Sequence, residues 1–385
     1  MTSNDNTALS PDMREAANAI ALVRASKYGL TDVKDIYLKA GSATAVLDHC
    51  LDIRRIVPEA TDRQVNAVEY MPAFLGRAAQ ECEYDLKKGL VPLTYNDPRY
   101  PSRLRQCADA PLVLFYRGNA DLNARRVVSI VGTRHSTPYG HDTTARLVAD
   151  LKALCPQMLI VSGLAYGIDI CAHTAALDNG MLTVGVLAHG LDNLYPVRHK
   201  PTAERMKSQG ALLTEFTTLT NADKLNFVRR NRIVAGMADA TIIVESAAQG
   251  GGLITTRMAA DYGRPVFAVP GQVNSPYSEG CNNLIRSHGA TLITSAHDVL
   301  ESMHWLDGCR MEQARRDGIE RQLFPTLSPQ EQCVVDLLAA DNDLKTDVMA
   351  ARLDMPVPTL TPLLFSLEMK GVLRLYAGGT YHLIS

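Results

Sequence analysis

Most of the features that assign a function at a glance are missing from this sequence. It has no run of about 18 apolar residues, the length that spans a bilayer. Its start, MTSNDNTALSPDMREAANAI, has neither the basic lead nor the apolar stretch of a secretion signal, so a cytoplasmic protein with no membrane association is expected. The eight cysteines are scattered, with no C-x-x-C pair and no histidine at zinc spacing. They read as reduced thiols, and no metal site is expected. Neither G-x-G-x-x-G nor G-K-S/T occurs, so the phosphate cradles of Rossmann dinucleotide-binding proteins and P-loop ATPases are lacking and no cofactor is expected. His173 has no serine or cysteine nucleophile motif beside it and reads as a packed residue. Net charge is also small, −2 over 385 residues, which excludes a protein-wide basic surface. Any anion site must be local.

What is present is the composition of a globular chain, 46% hydrophobic and 21% charged, at a length that suggests two or three domains. Residues 11 to 75 carry helical periodicity broken at Gly29, Gly41 and Pro58. A Pro- and aromatic-rich connection follows, with one short strand expected near Leu112 to Tyr116. From Val127 onward, short β-branched runs alternate with helical segments: VVSIV (127–131), LIVSG (159–163), LTVGVLA (182–188), ALLTEF (211–216), ATIIVES (240–246), PVFAVPG (265–271) and ATLIT (290–294). Such runs suit strands covered on both faces, and the alternation predicts a doubly wound, mostly parallel α/β sheet with its ligand site at the carboxyl ends of the strands. Residues 306–322 are polar and read as a linker. Beyond them, Ser328, Pro329 and Glu331 form a helix-start signature. Three helices and a hairpin around Gly378 and Gly379 then predict a winged helix. Residues 324–385 hold seven acidic and four basic side chains, which favours a protein contact there over phosphate binding. Duplex contacts by this module are the competing expectation.

Three strand exits have the chemistry of an anion site. Gly132, Thr133 and Arg134 follow the first parallel strand, ahead of a helix with Thr137 as N-cap and Pro138 in its first turn. Small residues let backbone N–H groups approach a phosphate, and Arg134 adds a bidentate cation. The second exit has Ser162, Gly163, Gly167 and Asp169, with Asp169 expected as the next N-cap. The third has Gly250, Gly251 and Gly252 before Thr255, Thr256 and Arg257, a loop able to follow a polyanion. Between the second and third lies FVRRNRIVAG (227–236). With Lys224, residues 222–236 set four cations against the single acid Asp223. This reads as a helix with Ile233, Val234 and Met237 on the sheet, Arg229 and Arg232 sharing a face, and Arg230 turned elsewhere toward a carboxylate. Phe227 beside those cations fits a surface that stacks a base while holding a phosphate.

VGTR, VSGLAYGIDICAH, the YP of LDNLYP, FVRRNRIVAG, ESAAQGGGLITTRMAADYGRPVFAVPG and GCNNLIRSHGA, in this order, resemble the DNA-processing protein A (DprA/Smf) family over about residues 90 to 300. The resemblance implies a non-enzymatic mediator with a Rossmann-like core. It would bind single-stranded DNA, form homodimers and hand the strand to the RecA recombinase in natural transformation. By motif, Arg134, Ser162, Gly163, Phe227, Arg230, Asn231 and Arg232 would line the DNA pocket, with Lys224 on the strand. Gly132, Thr133, Arg229, Gly251, Gly252 and Thr255 complete the expected site. The expected domains are an N-terminal helical segment of helix-hairpin-helix/SAM-like kind (1–82), the Rossmann-like DNA-binding domain (83–304), a linker (305–323) and the winged helix (324–385). Two departures stand out: TEFTTLTNADKLNF replaces a segment that in the family often reads S-E-x-P-x-G, and GGGLIT stands where S-G-S/T-L-I-T is usual. The competing reading is a nucleotide-processing enzyme resembling the lysine-decarboxylase-like phosphoribohydrolases. Their P-G-G-x-G-T-x-x-E motif supplies a catalytic Glu, whereas GGGLITTRMAAD has none and Glu245 precedes the loop.

Overall fold

The computed structural model describes residues 10–26, 29–316, 327–370, 372–376 and 379–383. It contains two compact units, Met1–Arg310 and Met311–Ser385.

Among the described residues the first unit opens with five α-helices: α1 (Pro11–Ala25), α2 (Leu30–Ala40), α3 (Ala43–Asp48), α4 (Asp62–Tyr70) and α5 (Leu75–Lys88). Their limits follow local chemistry. The Ser10 hydroxyl accepts from Met13 N at 3.4 Å and Pro11 opens α1. Gly41 ends α2 in the left-handed region, φ +88°, where a side chain is disfavoured. Thr61 and Gln64 form a reciprocal capping box on α4. The buried side of α1, from Ala16 to Leu22, belongs to one apolar cluster with Leu93, Leu112 to Phe115, Val127, Val161 and Val184. The helical segment and the sheet therefore share a core, and the expected boundary at residue 82 falls inside α5 rather than at a break in packing.

The sheet has nine strands: β1 (Val91–Thr94), β2 (Val113–Gly118), β3 (Val127–Val131), β4 (Leu159–Ser162), β5 (Thr183–Val186), β6 (Gly210–Thr214), β7 (Ala240–Ile243), β8 (Val266–Ala268) and β9 (Thr291–Leu292). Their order is β1-β2-β6-β5-β4-β3-β7-β8-β9. The β1–β2 and β2–β6 pairs are antiparallel and the others parallel, which is the doubly wound, mostly parallel sheet expected. Strand β1 was not anticipated, because VPLT sits in a proline-rich stretch and pairs only at the sheet edge, where proline's missing N–H is tolerated. Helices α6 (Ser102–Arg105), α7 (Pro138–Leu154), α8 (Ile168–Asp178), α9 (Lys200–Ser208), α10 (Lys224–Met237), α11 (Gly252–Asp261), α12 (Glu279–Arg286) and α13 (Ala296–Ser302) belong to this unit, and α14 (Leu306–Arg316) begins in it. The chain builds outward from β3 through β4, β5 and β6, then returns to β7 on the other side of β3. A ligand crevice is expected above this reversal. The expected linker is partly helical: α14 buries Cys309 in the cluster containing Val299 and Leu300, while 317–322 lie outside the described residues.

The second unit contains α15 (Pro329–Ala340), β10 (Leu344–Lys345), α16 (Thr346–Arg352), α17 (Val357–Met369), β11 (Leu373–Tyr376) and β12 (Thr380–Leu383), with strand order β10-β12-β11. This is the expected winged helix, and β10 is an addition to the three helices and hairpin. Gly378 of the hairpin turn lies outside the described residues, while Gly379 takes a positive φ of 77°. Ser328 and Glu331 form the predicted capping box. Glu331 also receives Lys370 Nζ at 2.6 Å and Ser366 Oγ at 2.7 Å. The Lys370 bond, followed by the Ser328 N–H, holds its carboxyl down at about 2. Val334, Leu338, Leu360, Leu364 and Leu367 form the core.

Candidate nucleic-acid interface

The exit of β3 is held by its neighbours before it touches any ligand. Thr133 N donates to Glu245 O at 2.7 Å and Ile168 N donates to Thr133 O at 3.2 Å. A Cβ on Gly132 would meet Ile168 Cγ1 at 2.5 Å and Glu245 O at 2.9 Å, so only glycine fits. Thr137 caps α7 as predicted. Buried Glu245 accepts from Thr137 N at 2.9 Å and Thr137 Oγ1 at 2.6 Å. Its carboxylate is thus a brace for this turn and does not line the cleft, which removes the residue nearest to the acid of the phosphoribohydrolase reading.

At the exit of β4, Gly163 faces the Arg230 guanidinium so closely that a Cβ would overlap it. Ser162 is buried, donates to Ile130 O at 2.6 Å and does not line the cleft. The N-cap of α8 is Gly167, with φ +76°, and not Asp169. Gly167 packs against Thr133 O, leaving no room for the side chain of an ordinary cap. Asp169 lies in the first turn, buried, with Oδ2 accepting from Ala165 N at 3.4 Å. Burial pushes its carboxyl upward, and Arg230 opposes that shift.

Helix α10 starts at Asp223, whose side chain accepts from Asn226 N at 2.8 Å. Ile233, Val234 and Met237 are buried, as the pattern required. The arginines differ from expectation. Arg232, not Arg230, takes a carboxylate: its Nη2 is 2.5 Å from Glu215 Oε2, its Nη1 donates to Asp109 O, and it is only 4% exposed. It faces the chain leaving β6 and does not line the cleft, nor does Arg229. Arg230 is buried, donates to Gly163 O and Val186 O, and reaches Asn231 Oδ1 at 3.2 Å. Burial pushes its guanidinium down to about 10, with Asp169 acting to raise it.

These elements enclose an open cleft of about 560 Å³ above the strand reversal. Gly132, Thr133, Arg134, Gly163, Lys224, Phe227, Arg230, Asn231, Gly251, Gly252 and Thr255 all line it. Arg134 lies over Phe227, with Cζ 4.4 Å from the ring centroid, and Arg230 Cζ is at 5.9 Å. Both distances are within cation–π range. Tyr195 meets the same ring edge-on at 6.0 Å. Arg230 is committed to backbone carbonyls, which leaves Arg134 and Lys224 as the cleft cations able to turn to an external anion. Asp169 of the second exit also lines the cleft, as do His135, Ala165, Ile254 and Tyr277, which were not anticipated. Tyr277 comes from the irregular chain after β8, where no periodic pattern marks its direction. Among the described residues, no group of three His, Cys, Asp or Glu side chains is placed to hold a metal, and no helix is long and apolar enough to cross a membrane.

A doubly wound sheet with a cationic, glycine-lined cleft at its strand reversal, followed by a winged helix, defines a Rossmann-like protein with a C-terminal winged-helix module. The family model for DNA recombination-mediator protein A matches residues 92–304, and that for the DprA winged helix domain matches 320–379. The chain therefore belongs to the DNA recombination-mediator protein A (DprA/Smf) family. It is 35% identical over 318 residues to the putative DNA processing protein DprA of Mycobacterium tuberculosis, covering 77% of this chain and 78% of that one. Among solved structures it is similar to DNA processing protein A of Streptococcus pneumoniae, with TM-score 0.62 and 33% identity over 74% of this chain and 97% of that one. A DNA processing protein A from Helicobacter pylori, whose structure is described in terms of its single-stranded DNA binding mode, aligns with TM-score 0.50 and 28% identity, covering 56% of this chain and 95% of that one.

Proposed function

We propose that the cleft binds single-stranded DNA and that the protein is a non-enzymatic recombination mediator. In this reading it protects incoming single strands in the cytoplasm as a homodimer and loads RecA recombinase onto them in natural transformation. The observation that carries the reading is the Arg134 guanidinium seated on the Phe227 ring beside glycine-lined exits. A guanidinium plane and an aromatic face both stack on nucleobases, and either can engage a base of any identity. Backbone N–H groups at the glycine exits, Arg134 and Lys224 then supply the phosphate contacts. A duplex keeps its bases stacked inside and offers no free base face to Phe227. Family membership supports the mediator role, and the Helicobacter pylori relative supports the strand specificity.

The test is a titration of labelled oligothymidylate and a matched duplex at several salt concentrations. Tight single-strand binding that weakens steeply with salt is expected. Equal affinity for the duplex, or no single-strand binding at low salt, would falsify the reading. Gel filtration tests the homodimer. RecA filament nucleation on single strands, faster with the protein than without it, tests the loading step.

A further inference from the structure

We infer that the N-terminal helices position the strand-gripping end of α10 through a polar clamp on the segment that leads into it, an inference that rests on reading the cleft as a DNA site. Residues 215–223, EFTTLTNAD, run irregularly from β6 to α10 and depart from the usual family pattern. They end at Asp223, the N-cap of the helix that carries Lys224 and Phe227. An irregular segment left free would let that end of the helix wander. This one is held at every polar group of Thr218. Glu81 of α5 accepts from Thr218 N at 2.6 Å and from Thr218 Oγ1 at 2.5 Å. Arg77 pairs with Glu81 at 2.7 Å and donates to Thr218 O at 3.1 Å and Thr218 Oγ1 at 2.7 Å. From α1, Arg24 donates to Thr217 Oγ1 at 3.2 Å.

Two further observations make this a clamp with a direction. Glu81 is buried, and a buried carboxylate charge is costly unless partners are supplied; Thr218 and Arg77 supply them. The next residue, Leu219, is 82% exposed and sits at φ +65°, a backbone state that leucine avoids unless the surroundings impose it. Asp192 Oδ2 accepts from Leu219 N at 3.0 Å on the far side, and Gly190 N donates to Thr220 O at 3.2 Å. Asn226 Nδ2 then donates to Asn221 O at 3.0 Å, tying the segment to the first turn of α10. A continuous set of bonds thus runs from Glu81 to the residues that face the cleft. Glu81, Arg77 and Thr218 line no part of the cleft and act as positioning residues.

The experiment compares full-length wild type, Thr218→Val, Thr218→Ser, Arg77→Gln and Lys224→Ala for oligothymidylate affinity across a salt series, with circular dichroism as a folding control. Thr218→Val is expected to weaken binding about three- to tenfold, in the range of coupled neighbouring sites. It should also lower the salt slope by about one, the signature of one displaced phosphate contact. Thr218→Ser restores the hydroxyl and wild-type behaviour. Thr218→Val combined with Lys224→Ala should lose no more slope than Lys224→Ala alone. Arg77→Gln, at a side chain 27% exposed, is the milder probe should Thr218→Val not fold, and an intermediate loss is expected. Folded variants with wild-type affinity and slope, or slope losses that add, overturn the clamp. Wild type that ignores single strands overturns the reading of the cleft instead, so the two failures are distinct.

Discussion

The cleft above the sheet and the winged helix are both places where a DNA-handling protein could meet its ligand, and they are built from opposite materials. Residues 222–236 carry four cations and one acid, and the surrounding exits are glycine. The wing's third helix, α17, has no lysine or arginine, and it exposes Phe365 and Met369 at 64% and 73%. In a winged helix the third helix usually enters the major groove, yet a face without cations lacks the positive charge on which phosphate affinity mainly rests. The fold name therefore does not decide the partner. Local charge and backbone access do.

Breaking the cleft should have the largest effect. Phe227→Ala is expected to weaken single-strand binding by about 1–3 kcal/mol, the usual worth of one base stacked on an aromatic ring, measured by fluorescence anisotropy. Lys224→Ala should lower the salt slope by about one with a smaller loss of affinity, whereas Arg374→Ala in the wing should change neither. Glu331→Gln sharpens the contrast from the other side. It removes a charged capping partner and should destabilise the C-terminal unit by about 1 kcal/mol in thermal melts while leaving DNA affinity intact. Because the folded carboxyl is held at about 2, below its ordinary 4.5, this contribution is full above the ordinary value. It disappears as pH falls toward 2, where wild type and variant should converge. The smallest effect belongs to deletion of residues 324–385, which should leave single-strand affinity within about twofold if the wing makes no phosphate contact. A larger loss would show duplex or strand contacts by that module.

A buried acid gives a further pH test, within the N-terminal helices. Asp85 has both carboxylate oxygens buried without a partner, and burial with Glu81 nearby pushes its pKa up to about 8. Its folded value exceeds its unfolded one, so the stability it costs grows as pH rises from about 4 to about 8 and then levels. Asp85→Asn should raise the melting midpoint more at pH 8 than at pH 5.

Much of this was readable along the chain. Seven parallel strands, the Thr137 and Ser328 caps, and the convergence of three glycine exits on one edge follow from short-range pattern, because β-branched runs and cap residues act on their immediate neighbours. Strand β1 was not readable, since an edge strand containing proline lacks the buried, alternating texture that marks the others. Asp169 was misplaced as a cap because its competitor, Gly167, is selected by contact with Thr133 O, a residue 34 positions away. The arginine roles were exchanged for a similar reason. Helical spacing shows which arginines share a face, but only the packed sheet shows that one face meets Glu215 and the other meets the carbonyls of Gly163 and Val186.

By itself, the sequence determined the class of sheet, the side on which a ligand can approach, and the chemistry available there, because strand texture, glycine exits and cations are properties of short stretches. The tertiary structure alone decided which cation is free, which is consumed, and what steadies the end of α10. Those outcomes depend on groups far apart in the chain, such as Glu81 and Thr218, meeting in a buried setting where an unpaired charge is too costly to keep.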